Sequence, residues 1–283
     1  MPAVPMMDIL KPAFAKRYGV GAFNIFNDLT MEAVLAAAEE VRSPVIVQVS
    51  LKTVKTTGAR LLPLMFQELA ARVTIPATLH LDHCPDLDVL QDCLEAGWNS
   101  VLFDGSGLSY EENLAQTRRV VEMARRHGAA VEGELEAIKG VEDGVGSEAE
   151  GRIVPLDQAI DFLAQTGIDS FAPAIGTAHG VYNTTPRINL KRVEDIVAAR
   201  PIPIVLHGGT GLSDETFRSL IARGAAKVNI STQLKIVYAD AYAKYLAAHP
   251  AEYNPMKLLQ AVRADVKGMV GTFLRTFGSA GQA

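Results

Sequence analysis

The feature that most constrains the fold is a set of eight short apolar runs that recur at fairly even intervals. They cover residues 21–26, 44–49, 77–81, 100–103, 129–135, 170–175, 202–206 and 227–230. Because these runs alternate little between apolar and polar residues, they are typical of strands buried on both faces of a parallel sheet. Segments of helical periodicity, such as 31–41 and 108–127, separate them. Eight such units predict an α/β fold, a single (β/α)8 TIM barrel.

Length and the residues between the runs agree with one closed barrel. The chain has 283 residues, and a barrel of this class typically needs roughly 250. No linker-like stretch divides the sequence, so we expect one domain over 1–283. An open doubly wound sheet is the alternative, and it is disfavoured because no dinucleotide-type glycine fingerprint follows the first run. Helix starts are predicted at Asp28, Thr30 and Ser213, and helix ends at glycines such as Gly97 and Gly224.

Composition and charge exclude several classes of function. The formal net charge is −5 and the basic residues are dispersed, which excludes a nucleic-acid partner. No apolar run approaches the roughly 20 residues that span a bilayer. Residues 1–5 lack the features of a signal peptide, and the two cysteines, Cys84 and Cys93, are expected to be reduced thiols. We therefore expect a cytoplasmic protein without a membrane partner.

One segment, 138–152, interrupts the alternation of strands and helices. It reads IKGVEDGVGSEAEGR, with many glycines and acidic residues and few large apolar side chains. Such a segment cannot form a core of its own, and it follows the fifth predicted strand, at the mouth of the barrel. We predict a mobile active-site loop that carries a catalytic group. A disordered surface insertion is the alternative.

Three histidines far apart in the sequence each lie where a predicted strand ends and a polar loop begins. They are His83 in LHLDH, His179 in IGTAHG and His207 in IVLHGG. In a parallel barrel such strand ends face one another across one mouth. Three imidazoles at one open site are the ligand set of a catalytic Zn²⁺, or of Co²⁺ in its place. We expect these ligands to lie outside the hydrophobic core.

Other polar residues follow the predicted strands at the same mouth. Asp82 adjoins His83, so one side chain can coordinate a metal while the other faces the substrate. Asp104 and Glu134 are candidates for partners of the imidazoles or for further metal ligands, and a structural hydrogen-bonding role is the alternative. The mouth is also expected to display Asn24, Ser50 and Asn229.

Two segments rich in glycine and hydroxyl groups have the composition of a phosphate site. HGGTG, at 207–211, follows the seventh predicted strand, and NIST, at 229–232, follows the eighth and opens a helix. Glycine lets backbone N–H groups approach an oxyanion, and a helix N-terminus adds partial positive charge. Gly180 could add another donor, and Lys235 could meet a second phosphate. The alternatives are a tight turn with an ordinary N-cap and a surface lysine.

Together these motifs resemble the class II, zinc-dependent ketose-bisphosphate aldolases. LHLDH, VEGELEAIKGVED, APAIGTAHGVY, LHGGTG and KVNISTQLK occur in the order found in that family, and the resemblance extends nearly from end to end. Within the family the chain is similar to the fructose- and tagatose-1,6-bisphosphate aldolases. The resemblance implies reversible cleavage of a ketohexose 1,6-bisphosphate to dihydroxyacetone phosphate and glyceraldehyde 3-phosphate.

The resemblance also implies roles for individual residues. The three histidines match zinc ligands, and Asp82 matches the acid/base that handles the proton on the C4 oxygen. Asp104 and Glu134 match positions of a second or displaced metal, while Glu142 matches a loop acid that moves the proton at the nucleophilic carbon. A monovalent cation (Na⁺ or K⁺) near the phosphate and a homodimer or homotetramer are further expectations. The residues that match contacts to dihydroxyacetone phosphate are Gly180, Gly208, Gly209, Thr210, Asn229, Ile230, Ser231 and Thr232.

Departures from the family pattern leave the substrate open. Ser231 stands where many fructose-bisphosphate enzymes carry an aspartate that contributes to sensing sugar stereochemistry, which favours a loosened preference or tagatose bisphosphate. The segment SLKTVK, at 50–55, differs from the more glycine-rich stretch of tagatose enzymes.

Three other readings are a class II aldolase of another phosphorylated ketose, a Schiff-base aldolase and a non-catalytic barrel subunit of an aldolase complex. A Schiff-base enzyme requires a lysine at a strand end, where this chain has none. A non-catalytic subunit would be expected to lose metal ligands, and all three histidines are retained.

Overall fold

The computed structural model describes residues 3–138, 140–142, 145–147, 153–182 and 186–283, and for 141–142 and 145–147 it describes the backbone alone. The strands are β1 (Val20–Asn24), β2 (Val45–Ser50), β3 (Ala77–Cys84), β4 (Ser100–Asp104), β5 (Ala130–Glu134), β6 (Gly140–Glu142), β7 (Val145–Ser147), β8 (Ser170–Ala172), β9 (Ile204–Leu206) and β10 (Ala225–Ile230). The helices are α1 (Met6–Lys16), α2 (Asp28–Val41), α3 (Leu51–Thr57), α4 (Leu61–Ala70), α5 (Leu87–Glu95), α6 (Tyr110–Arg126), α7 (Leu156–Thr166), α8 (Leu190–Ala199), α9 (Asp214–Arg223), α10 (Thr232–Ala248) and α11 (Pro255–Thr276).

Parallel strands form a closed barrel. The order around the ring is β1, β10, β9, β8, β5, β4, β3, β2, and β2 pairs with β1 to complete it. Each barrel strand overlaps one of the predicted runs, so the prediction of a single (β/α)8 TIM barrel is confirmed. Strands β6 and β7 form a separate antiparallel pair within the predicted loop. Residues 139, 143–144 and 148–152 of that loop lie outside the described part of the chain.

Polar side chains cap the starts of several helices. Helix α2 begins after Asn27, whose side-chain oxygen accepts the Thr30 N–H while the Thr30 hydroxyl accepts the Asn27 N–H. The cap therefore precedes Asp28, which is the first helical residue. Ser213 caps α9 as predicted, by accepting the Thr216 N–H at 3.2 Å. None of the described helices is both long enough and apolar enough to cross a membrane.

Helix α1 covers the amino-terminal end of the barrel. Its apolar stripe packs against side chains near the starts of the strands, in one buried cluster. Burial of this stripe removes water from that end of the barrel. The carboxyl-terminal mouth is therefore the open end. The cluster comprises Met6, Ile9, Leu10, Ala13, Tyr18, Val20, Ala22, Ile46, Ala130 and Ala226.

A buried ion pair ties the end of β5 to later parts of the chain. Glu136 is 2% exposed and pairs with the Arg192 guanidinium on α8. Its carboxylate also accepts the Val154 N–H at 2.8 Å and the Ala174 N–H at 2.9 Å. Burial raises the pKa of Glu136, and the Arg192 charge acts against that rise. One carboxylate thus joins four separate segments beside the mouth.

Replacing Arg192 with methionine is expected to lower the free energy of unfolding by about 3–5 kcal/mol, because Glu136 is left buried without its counter-charge. The neighbouring Lys191 offers a matched control. Its pair with Asp195, at 2.7 Å, is exposed to solvent, so Lys191→Met should change stability little. Denaturant unfolding of both variants measures the difference. Equal effects of the two substitutions would contradict this assignment.

Candidate active site

The three predicted histidines lie together at the carboxyl-terminal mouth. His83 is on β3, His207 directly follows β9, and His179 lies in the segment after β8. The ring centroid of His83 is 5.0 Å from that of His179 and 4.8 Å from that of His207. His83 and His207 are only 5% and 1% exposed. These two rings are therefore buried, because side chains fill the barrel up to the level of the mouth, whereas His179 is half-buried. None of the three belongs to the hydrophobic core clusters.

The backbone of β3 presents two consecutive side chains to the site. In a regular strand Asp82 and His83 would point to opposite faces. His83 has a left-handed φ of 42°, and the register between β3 and β4 shifts beside it. A left-handed conformation at a non-glycine residue costs about 1–2 kcal/mol, which the surrounding packing must offset. As a result Asp82 bonds to Asn24 while His83 bonds to Asp104.

Carboxylates fix the orientation of two of the rings. Asp104 Oδ2 is 3.0 Å from His83 Nδ1, and Glu132 Oε1 is 2.8 Å from His207 Nε2. Since a carboxylate accepts, each of these ring nitrogens donates to it. The remaining nitrogens, His83 Nε2 and His207 Nδ1, face each other at 3.0 Å. They can share one proton or bind one cation, and imidazole is a preferred ligand of divalent zinc.

Burial and neighbouring charges set the ionisation of the rings. Burial, and then the charge of His83, holds the pKa of both His179 and His207 well below its usual value. Burial also opposes the charged form of His83, but neighbouring carboxylates raise the pKa of that ring well above the usual value. Metal ligation requires neutral imidazoles, which the lowered pKa values favour for His179 and His207. The carboxylates that raise the pKa of His83 attract a cation, and a divalent metal can take the place of the second proton on that ring.

Asp104 and Glu134 form a second group of metal-ligating atoms that shares His83. One atom from each of these three residues lies within 4.8 Å of the other two. Burial, and then the neighbouring Asp104, raises the pKa of Glu134 well above its usual value. The three residues line one cavity of about 370 Å³ together with His179. The contact between Asp104 and the ring of His83 is therefore the one expected of a partner of an imidazole. The same three residues also offer the ligand atoms for a second metal position.

A short chain of amide side chains holds Asp82. Asn24 Nδ2 donates to Asp82 Oδ2 at 2.7 Å, and Gln48 Nε2 donates to Asn24 Oδ1 at 2.7 Å. The other oxygen, Asp82 Oδ1, is buried and has no hydrogen-bond partner among the described residues. Asp82 thus has a fixed orientation and one oxygen available to a ligand. Gln48 was not among the predicted site residues.

A buried polar network lies inside the barrel, and sequence reasoning missed it. Lys227 Nζ is 2.9 Å from Glu132 Oε2 and 2.8 Å from Asn229 Oδ1. His80 Nε2 is 3.5 Å from the same Glu132 oxygen. Glu132 therefore links Lys227 to the ring of His207. The available signal was the alternation of side-chain direction along a strand. A residue two positions before a mouth residue on the same strand also faces the interior of the barrel.

The predicted phosphate segments contact one another at the mouth. Gly208 has a φ of 66°, and a Cβ there would lie 2.4 Å from the Ala178 carbonyl oxygen. A Cβ on Gly209 would lie 2.9 Å from the Asn229 carbonyl oxygen. Only glycine fits these close approaches. The Tyr182 hydroxyl joins two segments, since it accepts the Ala178 N–H at 2.9 Å and donates to the Gly208 carbonyl oxygen at 2.7 Å.

Polar atoms around this contact remain available to a ligand. Asn229 Nδ2 and Ser231 Oγ are buried and have no hydrogen-bond partner within the described ranges. A Cβ added to Gly180 would meet no atom within 4 Å, so there is open space beside it. Thr210 Oγ1 accepts the N–H of Gln233 at 3.2 Å, which holds 207–211 against the start of α10. Ile230 is buried in the apolar core, and Thr232 begins α10.

The other predicted residues lie in different surroundings. Ser50 ends β2 and caps α3, where its Oγ is 3.3 Å from Thr53 Oγ1. Lys235 is on α10 and lines a cavity with Asn24. Glu142 is on β6, and its side chain lies outside the described structure.

Comparison with known proteins gives matches over nearly the whole chain. The model of the class-II fructose-bisphosphate aldolases matches residues 4–282. A protein of Bacillus subtilis described as a probable fructose-bisphosphate aldolase is 39% identical over 100% of both chains. A sulfofructosephosphate aldolase of Alkalicoccus urumqiensis is 34% identical over 97% of this chain and 96% of the other. The solved YdjI aldolase of Escherichia coli is 31% identical, with a TM-score of 0.87 and coverage of 100% of both chains.

Proposed function

Because the chain belongs to the class II fructose-bisphosphate aldolase family, we propose that it is a zinc-dependent aldolase acting on a ketohexose 1,6-bisphosphate. The reaction is reversible cleavage to dihydroxyacetone phosphate and glyceraldehyde 3-phosphate. The observation that carries the proposal is the convergence of three imidazoles, in which His83 Nε2 lies 3.0 Å from His207 Nδ1 and all three rings offer a ligand atom within 4.8 Å of one another. A metal ion held by these nitrogens would replace the proton that His83 and His207 otherwise share.

His83, His179 and His207 are the proposed ligands of one zinc ion. When bound, zinc supplies Lewis-acid stabilisation of the negative charge that develops on the substrate carbonyl oxygen. Asp104 and Glu132 hold two of the rings in the tautomer that directs a lone pair at the site. Glu134 and Asp104 are the proposed ligands of a second or displaced metal position.

Asp82 is the proposed acid/base at the C4 oxygen. During cleavage it takes the C4 hydroxyl proton on Oδ1, and during condensation it returns that proton. The support is the fixed carboxylate with one unoccupied acceptor oxygen, held by Asn24 at 2.7 Å. Geometry of this kind keeps the oxygen in one position for proton transfer.

The phosphate of dihydroxyacetone phosphate is proposed to lie where the glycine-rich segments meet. Close packing at Gly208 and Gly209 allows backbone N–H groups to reach an oxyanion. The family resemblance adds a monovalent cation, Na⁺ or K⁺, near this phosphate. The proposed contacts are Gly180, Gly208, Gly209, Thr210, Asn229, Ile230, Ser231 and Thr232.

Glu142 is the proposed acid/base at the nucleophilic carbon. Glu142→Gln should slow the exchange of tritium from labelled dihydroxyacetone phosphate by about 10²-fold or more, with a smaller effect on binding. Asp143→Asn is the matched control. Glu132 and Glu136, two other glutamates near the mouth, are engaged by Lys227 and Arg192. An unchanged exchange rate in the Glu142 variant would transfer the role to Asp143.

The identity of the substrate is left open at one point, the configuration at C4. Fructose and tagatose bisphosphates differ only there, and a hydrogen bond can discriminate epimers strongly where apolar contact cannot. Ser231 places a short neutral hydroxyl where many fructose enzymes have an aspartate. We expect similar kcat/KM values for the two epimers, or a preference for tagatose bisphosphate. A preference for fructose bisphosphate above about a hundredfold would contradict the Ser231 argument, and cleavage of neither would contradict the substrate class.

A related class II aldolase of another phosphorylated ketose is the second candidate. It is favoured by the 34% identity to a sulfofructosephosphate aldolase.

The proposal also includes a homodimer or homotetramer, a cytoplasmic location and a single domain over 1–283. These parts rest on the family resemblance and on the composition.

A further inference from the structure

Lys227 is a fully buried cation to which the proposed reaction assigns no role. It lies on β10 and is 0% exposed. Its ammonium group lies 2.9 Å from Glu132 Oε2 and 2.8 Å from Asn229 Oδ1. Burying a charge is costly unless it is paired and hydrogen-bonded. These two partners satisfy that requirement, and each of them also reaches a different part of the site.

Glu132 connects Lys227 to a proposed metal ligand. Its carboxylate has Oε2 next to Lys227, while Oε1 lies 2.8 Å from His207 Nε2. A carboxylate that is fixed through one oxygen keeps the other oxygen in place. A partner that bonds to the far nitrogen of a ligating imidazole fixes the direction of the ring and strengthens its hold on the metal. Lys227 therefore acts on His207 through Glu132.

Asn229 connects Lys227 to the proposed substrate site. An ammonium group has three donors and no acceptor, so the amide of Asn229 must turn its oxygen towards Lys227. The amide nitrogen, Nδ2, is then directed away from Lys227. It is buried and has no hydrogen-bond partner in the part of the chain that the structure describes. A buried donor without an acceptor is costly, so Nδ2 is available to an oxygen of a ligand.

The position of Lys227 on its strand places it below the mouth. Lys227 and Asn229 are two positions apart on β10, so both side chains face the interior of the barrel. Asn229 is the residue before the last of the strand, and Lys227 lies deeper. Among the described residues that line the two cavities at the mouth, Lys227 is absent. It thus supports the site from below.

We propose that Lys227 is a positioning residue for both halves of the site. Through Glu132 it holds His207 for the metal, and through Asn229 it presents an amide N–H to an oxygen of dihydroxyacetone phosphate. Without Lys227 the amide can turn over and present its own oxygen, an acceptor, to the substrate oxygen. The inference rests on the proposed function, because that function assigns His207 to zinc and Asn229 to dihydroxyacetone phosphate.

The test is a double-mutant cycle of Lys227→Met and Asn229→Ala, measured as equilibrium binding and not as turnover. Two dissociation constants are determined: that of Zn²⁺ for the metal-free protein, and that of dihydroxyacetone phosphate for the zinc-saturated protein. Lys227→Met should raise the constant for zinc by about 10–100-fold, the usual effect of losing support for a ligating imidazole. It should raise the constant for dihydroxyacetone phosphate by about tenfold, as expected for loss of one hydrogen bond.

Asn229→Ala separates the two halves of the proposal. It should also raise the constant for dihydroxyacetone phosphate by about tenfold, and it should leave the constant for zinc unchanged. Because Lys227 acts on the substrate through this amide, the protein with both changes should bind dihydroxyacetone phosphate no more weakly than Asn229→Ala alone. A residue with a merely structural role would give losses that add.

Arg192→Met is the matched control. It also removes the cation of a buried ion pair, but the described partners of Glu136 are Arg192 and the N–H groups of Val154 and Ala174. This variant should therefore lose stability and keep both dissociation constants unchanged.

A second variant keeps the test decisive if Lys227→Met does not fold, since that change leaves Glu132 buried without its counter-charge. Combining it with Glu132→Gln removes both charges, which is often nearly neutral for stability. This protein keeps an amide oxygen for His207 Nε2 but has nothing that turns Asn229. Its affinity for dihydroxyacetone phosphate should still fall by about tenfold.

Three results would overturn the role of Lys227. They are an unchanged constant for zinc in folded Lys227→Met, an unchanged constant for dihydroxyacetone phosphate in a folded protein without Lys227, and losses in the cycle that add. Failure of the unaltered protein to bind zinc or dihydroxyacetone phosphate would instead contradict the proposed function.

Discussion

Replacing His207 with alanine is expected to remove most of the bound metal and to lower aldol cleavage by about a thousandfold or more. Lewis-acid stabilisation is worth several kcal/mol of transition-state energy, and each 1.36 kcal/mol is about a factor of ten in rate. Glu132 holds the ring of His207 in place, since Glu132 Oε1 lies 2.8 Å from His207 Nε2, and alanine removes this oriented ligand. Metal analysis and the initial rate of cleavage check the two effects separately.

His127→Ala is the control for this substitution, because His127 is exposed at the end of α6. It should keep both metal and activity. His207 is 1% exposed, so alanine leaves a cavity and removes the ring nitrogen that Glu132 contacts. Circular dichroism must therefore establish that the variant is folded. A folded His207→Ala protein with its metal and its full cleavage rate would contradict the ligand assignment.

Asp82→Asn is expected to slow cleavage by about 10²–10⁴-fold, the usual contribution of a general acid or base, without loss of metal. Asparagine keeps the shape of the side chain and can still accept from Asn24, but it cannot take the C4 hydroxyl proton. Exchange of the dihydroxyacetone phosphate proton does not involve C4, so it should persist in this variant.

The opposite pattern is expected for Glu142→Gln, which makes the two variants controls for each other. Cleavage assays, together with detritiation of labelled dihydroxyacetone phosphate, separate the roles. Near-normal cleavage in Asp82→Asn would exclude the role of Asp82 as acid/base. Loss of metal would show instead that Asp82 supports the ligand site.

The fold could be predicted from the sequence because apolar runs of strand length recur with helical segments between them. The positions of the strand ends were harder to predict. The run 170–175 predicted a longer strand than β8, which ends at Ala172. Pro173 has no N–H for the ladder, and Gly176 has a φ of 92° that ends regular strand geometry.

The histidines of the site were also readable, because their position at strand ends is a property of the sequence alone. The interior pair of Lys227 and Glu132 was missed, since each looked like an ordinary polar residue within a strand. Their pairing depends on the register of strands that are distant in sequence. The Glu136–Arg192 pair was missed for the same reason, as the two residues are 56 positions apart.

Metal titration of the metal-free protein tests the central claim most directly. The protein is stripped with a chelator, and aldol cleavage is measured as Zn²⁺ is added. We predict no cleavage without metal and a rise that reaches its plateau at one zinc ion per chain in the site of His83, His179 and His207. Full cleavage activity in the metal-free protein would contradict the account.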